Sequence, residues 1–147
     1  MKRILSQFIT ACTRPLGRRE ERAALTQWRS EESMLRERFL ELARAAGKPR
    51  WLNWAECEWT GTMLFSRERE TGLLTALVGL VVRFEPIEGD EMEGAPAAAM
   101  PRETTALFHY RKGHWGTGGR ALFNMPPEEA IERLKGQFER IPTLDQR

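Results

Sequence analysis

From Arg18 to Ala46, apolar residues recur at Leu25, Trp28, Leu35, Phe39, Leu42 and Ala46, at spacings of three, four or seven. Residues three and four apart share a helix face, so the spacing predicts one long helix with a single apolar stripe. Glu32 is the one polar interruption. Arg, Glu and Gln fill the other faces, and Gly47-Lys-Pro49 is a C-terminal stop signal. Such a stripe needs a surface to cover it, and the pattern after Pro49 supplies one.

There the period changes from about 3.6 to 2, the mark of strands. Read as a strand from Trp51, one face carries Trp51, Asn53, Ala55, Cys57 and Trp59, and the other carries Leu52, Trp54, Glu56, Glu58 and Thr60. This predicts a half-buried antiparallel strand with Trp51, Cys57 and Trp59 in the core and Trp54 on the carboxylate face. Thr60-Gly-Thr62 reads as a turn, Met63 to Arg67 as a second strand, and Glu70-Thr-Gly72 as a tight turn.

Leu73 to Glu85 is the third and longest strand. Leu74, Ala76, Val78, Leu80, Val82 and Phe84 form one apolar face, and Leu73, Leu77 and Val81 make the other face fairly apolar too. The expectation is a central strand covered on both sides, with Gly79 marking a bulge or the close approach of a neighbouring side chain. Pro86 to Pro101 is an acidic loop, Glu103 to Arg111 a fourth strand, Lys112-Gly113 a turn, and His114 to Phe123 a fifth strand.

Asn124-Met-Pro-Pro-Glu-Glu129 opens a last helix, with prolines and glutamates in its first turn and a stripe of Ala130, Ile131, Leu134, Phe138 and Ile141 ending at Pro142. At the other end, residues 3–12 read as a separate short helix, closed by Pro15 and Gly17. The domain reading is a basic arm over residues 1–17, one α+β domain over 18–142, and a tail over 143–147. The order, a long helix followed by a curved antiparallel meander of about five strands and a C-terminal helix, resembles the sheet-over-helix architecture of cystatin-like folds and of the cone-shaped domains of the nuclear transport factor class. Architecture of this kind carries no function with it.

Composition changes the picture little. A chain of 147 residues, 41% apolar and 30% charged, suits one soluble globular domain. No apolar run is long enough for a membrane-spanning helix. Lys2 and Arg3 ahead of Ile4, Leu5, Phe8 and Ile9, with Ala11-Cys12 behind, glance at an export signal, but the stretch is too short and carries Ser6 and Gln7 inside it. The expected location is the cytoplasm, with Cys12 and Cys57 as reduced thiols. The net charge of +2 hides an asymmetry: residues 1–22 hold six cations against Glu20 and Glu21, which leaves the rest of the chain mildly acidic. A basic arm without a broad cationic face argues against nucleic acid as the partner.

No catalytic constellation is visible by spacing. His109 and His114 flank a turn without a third ligand, so no metal is expected, and no cofactor either. Gly113-His-Trp-Gly-Thr-Gly-Gly-Arg120 does not lie between a strand and a helix, as a phosphate loop must, and reads instead as a glycine-kinked strand. The acidic loop lacks the ligand spacing of a calcium site. The binding candidates are Trp54, Glu56, Glu58, His109 and Tyr110. Two functions remain in view: a non-catalytic protein-interaction module, or a ligand-binding protein or enzyme whose pocket, lined by His109, Tyr110, Cys57 or a carboxylate, lies between sheet and helix. A filled interior favours the first.

Overall fold

The computed structural model describes residues 2–50, 52–87 and 100–144, with side chains from Gly17 onward except that of Thr143. Trp51, the acidic loop over 88–99 and the Cys12 side chain therefore lie outside the described residues. A helix, α1 (Lys2–Ala45), is followed by β1 (Leu52–Glu68), β2 (Leu74–Pro86), β3 (Arg102–Arg111), β4 (His114–Gly116), β5 (Ala121–Phe123), the short helix α2 (Pro127–Arg133) and β6 (Phe138–Arg140). A 3-10 turn over Pro142–Leu144 follows. The strands form one antiparallel sheet in the order β4-β3-β2-β1-β6, with β5 also paired to β3. The class is α+β, and the sheet is not closed into a barrel.

The central strand is the one expected. All of Leu74 to Leu80 is buried, β2 pairs with β1 on one side and β3 on the other, and its two faces feed two separate clusters. Leu74, Ala76, Val78, Leu80, Val82 and Phe84 face α1. Leu77 faces α2 with Leu64, Leu107, Ala130, Ile131 and Phe138. On α1 the buried positions are Ala24, Trp28, Leu35, Phe39 and Ala43, while Leu42 is half-buried and Ala46 exposed. The docked stripe is thus rotated slightly from the one drawn through the larger residues.

Four boundaries differ from expectation. The helix α1 runs unbroken through Pro15 and Gly17, where a break was expected. Proline there forfeits one backbone hydrogen bond, and the helix continues past it.

Thr60-Gly-Thr62 is not a turn: β1 is one strand, and its pairing passes from Trp59↔Leu80 to Met63↔Val78, so the three residues bulge against the single residue Gly79. A Cβ on Gly79 would stand 2.5 Å from the Thr60 hydroxyl oxygen and 3.2 Å from Pro127 Cδ. That is the close approach expected at this glycine.

The expected fifth strand is two strands, β4 and β5, separated by residues 117–120. Gly119 turns the chain with φ +78°, and a Cβ on it would lie 2.7 Å from Leu42 Cβ and 2.8 Å from the Ala43 backbone nitrogen. Glycine is required here so that the loop can rest on α1.

The last helix stops at Arg133, not Pro142. The Leu134 carbonyl accepts from both the Gln137 and the Phe138 N–H (2.8 and 3.0 Å), which closes a turn, and β6 then pairs with Ser66–Glu68 of β1. Phe138 still enters the α2 cluster, so a turn plus a strand satisfies the same apolar spacing that a helix would.

Three polar contacts fix α1 against the sheet. The Arg67 guanidinium reaches Glu20 and Glu21 at 2.8 and 3.0 Å. The Trp115 indole N–H donates to the Ala24 carbonyl at 2.7 Å, and the Trp54 indole N–H donates to the Lys48 carbonyl at 2.9 Å just beyond the helix end. No described helix is long and apolar enough to cross a membrane.

Candidate functional site

The expected candidates do not come together. A bulge between Trp54 and Glu56 inserts Ala55 and reverses the alternation of β1. Leu52 and Trp54 therefore point to the α1 side before it, and Cys57 and Trp59 after it. Trp54 is buried at 7% exposure and not set among the carboxylates, a correction of the face expected for it, while Cys57 and Trp59 are only half-buried. Glu56 and Glu58 are exposed as expected, and Glu56 lies 3.6 Å from Arg83. The Arg36 guanidinium covers the Trp59 ring at 5.1 Å.

His109 and Tyr110 are neighbours on β3 and so fall on opposite faces. Tyr110 packs on Trp115 in the α1 cluster, ring centroids 5.3 Å apart. Its hydroxyl is pushed above the usual tyrosine range by burial and by the Glu20 and Glu31 carboxylates.

Among the described residues, aromatic rings pack the space between α1 and the sheet. Trp28, Phe39, Phe65 and Phe108 are fully buried there, and Trp28 alone meets Phe65, Phe108 and Trp115 edge-on at 6.5, 5.0 and 5.0 Å. The polar chemistry lies on the other face. Pairing places Gly116 opposite His109, His109 opposite Thr75, Thr75 opposite Ser66, and Ser66 opposite Arg140. Directly opposed residues in an antiparallel pair share a face. One polar or side-chain-free position from each of five strands therefore forms a transverse row on the side of α2. The Ser66 hydroxyl is fully buried and has no hydrogen-bond partner among the described residues.

At the β4 end the row opens into a cleft of about 330 Å³, lined by His109, Arg111 and His114 and floored by Gly116, Thr117 and Gly118, with Trp115 beneath. Thr117 fixes the floor: its hydroxyl donates to the Leu107 carbonyl at 2.8 Å and accepts from the Gly119 N–H at 3.1 Å. The Thr75 hydroxyl stands 3.1 Å from the Leu73 carbonyl, to which it can donate, and 3.0 Å from His109 Nδ1. When the hydroxyl proton goes to the carbonyl, the neutral imidazole donates through Nδ1–H and carries its lone pair on Nε2. Burial holds the His109 pKa below its ordinary value; the Glu68 carboxylate works against this, and the Arg120 and Arg111 guanidinium groups add to it.

A stability prediction follows with a definite sign. A histidine with a depressed folded-state pKa takes up its proton more readily when unfolded, so the stability it contributes is present above about pH 6.5 and lost as the pH falls below that. Chemical denaturation between pH 7.5 and 5 should show the wild type losing stability on the acid side, with His109→Gln losing less. Equal slopes for the two proteins would remove His109 as the cause.

Burial also raises the Cys57 thiol pKa, opposed by the charge and a hydrogen bond of Arg44. Cys57 should therefore react with a disulfide reagent much more slowly in the native protein than in denaturant, since the thiolate is the attacking species. Equal rates would show an open, activated thiol instead.

Among the described residues, no group of three His, Cys, Asp or Glu side chains is placed to hold a metal ion. The features that sequence reasoning missed are Thr75, Ser66, Arg111 and the role of Gly116. The signal for the first two was a hydroxyl at positions that strand alternation marks as apolar. Comparison with protein-family models, with curated proteins and with solved structures finds no match for this chain.

Proposed function

We propose that this chain is a protein-interaction module of the cytoplasm, acting by contact and not by catalysis. The observation that supports this is the filled interior. In a sheet-over-helix domain an enclosed ligand pocket belongs between the layers, and here the fully buried rings of Trp28, Phe39, Phe65 and Phe108 occupy that space. The groups with chemistry to offer lie on the outer face, beside an open cleft. Catalysis of charge-developing steps gains most where water is excluded, whereas an exposed cleft between rigid strands suits docking. A free thiol at Cys57 agrees with a reducing compartment.

One observation favours the second reading, a ligand-binding protein or enzyme. His109 is half-buried and positioned by the Thr75 hydroxyl 3.0 Å from its Nδ1, as a general base needs to be. Its site is then the outer cleft and not the space between sheet and helix.

The two readings separate in one paired experiment. Affinity capture with the tagged full chain, with crosslinking, is expected to recover a stoichiometric protein partner that also binds when both are purified. A thermal-shift screen of metabolites on the same preparation is expected to leave the melting temperature unchanged. A metabolite that raises it by several degrees, with no purified partner binding, overturns the interaction reading in favour of the second.

A further inference from the structure

We propose that the cleft beside β4 binds carboxylate groups of an acidic segment in a protein partner, held by Arg111 and Arg120 over the bare backbone of Gly116 and Gly118. This rests on the interaction reading above and names its surface.

The first observation is the shape of the floor. His109 and Gly116 are directly opposed across β3 and β4, as are Arg111 and His114. Because opposed residues share a face, the missing side chain at Gly116 leaves a notch walled by His109, Arg111 and His114.

The second observation concerns why glycine stands there. Gly119 is required by its φ of +78° and its contact with α1, and Gly79 by the Thr60 side chain. Gly116 and Gly118 are under neither constraint: neither has a φ in the left-handed region, and a Cβ on either would meet nothing within 4 Å. What glycine provides at such positions is access, allowing another molecule to approach the main chain closely. The floor is rigid as well, since Thr117 ties it to β3 through the Leu107 carbonyl.

The third observation is charge. Arg111 lines the cleft, and the Arg111 and Arg120 guanidinium groups both act on His109. Neither arginine takes part in an ion pair among the described residues, whereas Arg36, Arg67, Arg69 and Arg133 each do. The Glu68 carboxylate is the anion acting on His109 from β1. Guanidinium groups favour carboxylate and phosphate for their planar, two-pronged geometry.

The edge position of the cleft suits an extended segment that runs past it. At about 330 Å³ the cleft is at the small end for a ligand pocket, and it opens at the sheet edge. It accommodates one or two side chains of an extended segment and leaves the rest outside.

The test uses amide and imidazole NMR shifts of the isotope-labelled full chain titrated with hexaglutamate peptide, hexaglutamine peptide and inorganic phosphate. Expected are saturable shifts at the Gly116 and Gly118 amides and the His109 ring with hexaglutamate alone. The Arg111→Gln/Arg120→Gln double variant should bind about tenfold more weakly, from the loss of charge-assisted contacts. Both arginines are exposed, so its melting temperature should not move. Gly116→Ala, which adds a methyl group to open space, should weaken binding without touching the charges.

Shifts that are missing, matched by hexaglutamine, or unchanged in affinity for the double variant overturn the proposal. Equal or tighter binding of phosphate at the same amides overturns it in favour of a small-anion site. If a purified partner binds the double variant as well as it binds the wild type, the interaction reading stands and this cleft is not its surface.

Discussion

Phe39→Ala is expected to lower the unfolding free energy by about 3–5 kcal/mol, the range for deleting a buried aromatic ring. Phe39 has no exposed surface, and its ring joins α1 to two strands, β1 and β3. Its ring lies 6.1 Å from Trp54 and 5.9 Å from Trp59 of β1, and 5.7 Å from Phe108 of β3. All three neighbours are large and themselves held by other rings, so they cannot collapse into the space left behind, which places the cost toward the upper part of that range. Reversible denaturation followed by far-ultraviolet circular dichroism measures it, and for a chain of this size the melting temperature should fall by about 10 °C or more. A change within error of zero would mean that α1 is not docked on this sheet through its stripe.

The parts of the fold that were legible in the sequence are those where periodicity is undisturbed. The apolar run from Leu74 to Phe84 identified the central strand and both of its covered faces, because alternation continues without a break from one end to the other. Trp28, Leu35 and Phe39 marked the docked face of α1 for the same reason. The misreadings begin where one inserted residue changes the parity. Ala55 looks like any other strand residue, yet as a bulge it sends Trp54 to the α1 side and keeps Cys57 and Trp59 there. Nothing in local composition marks it, since a bulge is settled by pairing with Phe84 and Arg83 on the next strand.

The end of the last helix failed for a related reason: Ile131, Leu134 and Phe138 satisfy a helical spacing, but Phe138 reaches the same cluster from a strand. The candidate site was the least legible part. His109 was singled out, but its row partners Thr75, Ser66 and Gly116 come from three other strands. Their juxtaposition is a property of register, and register is set by tertiary pairing.

Trp54→Ala should also cost about 3–5 kcal/mol, and it tests the bulge directly. Without the bulge Trp54 would stand beside Glu56 and Glu58 in water, and its removal would cost almost nothing. With it, the ring is 7% exposed and meets Phe39, Phe84 and Phe123 edge-on at 6.1, 5.8 and 5.7 Å. Its N–H also holds the Lys48 carbonyl at 2.9 Å, tying the end of α1 to the start of β1.

Two companion variants divide the cost. Trp54→Phe keeps most of the apolar contact and loses the hydrogen bond, for an expected loss of about 1 kcal/mol from that bond plus a smaller packing term. In the Phe39→Ala/Trp54→Ala double variant the two losses should differ from additivity by about 0.5–1.5 kcal/mol, the coupling of an aromatic pair in contact. A Trp54→Ala protein with unchanged stability would place the ring back on the carboxylate face and restore it as a contact residue. The expected large loss instead makes Trp54 part of the layer packed between helix and sheet, tied through Phe39 to α1 and through Phe84 to the central strand.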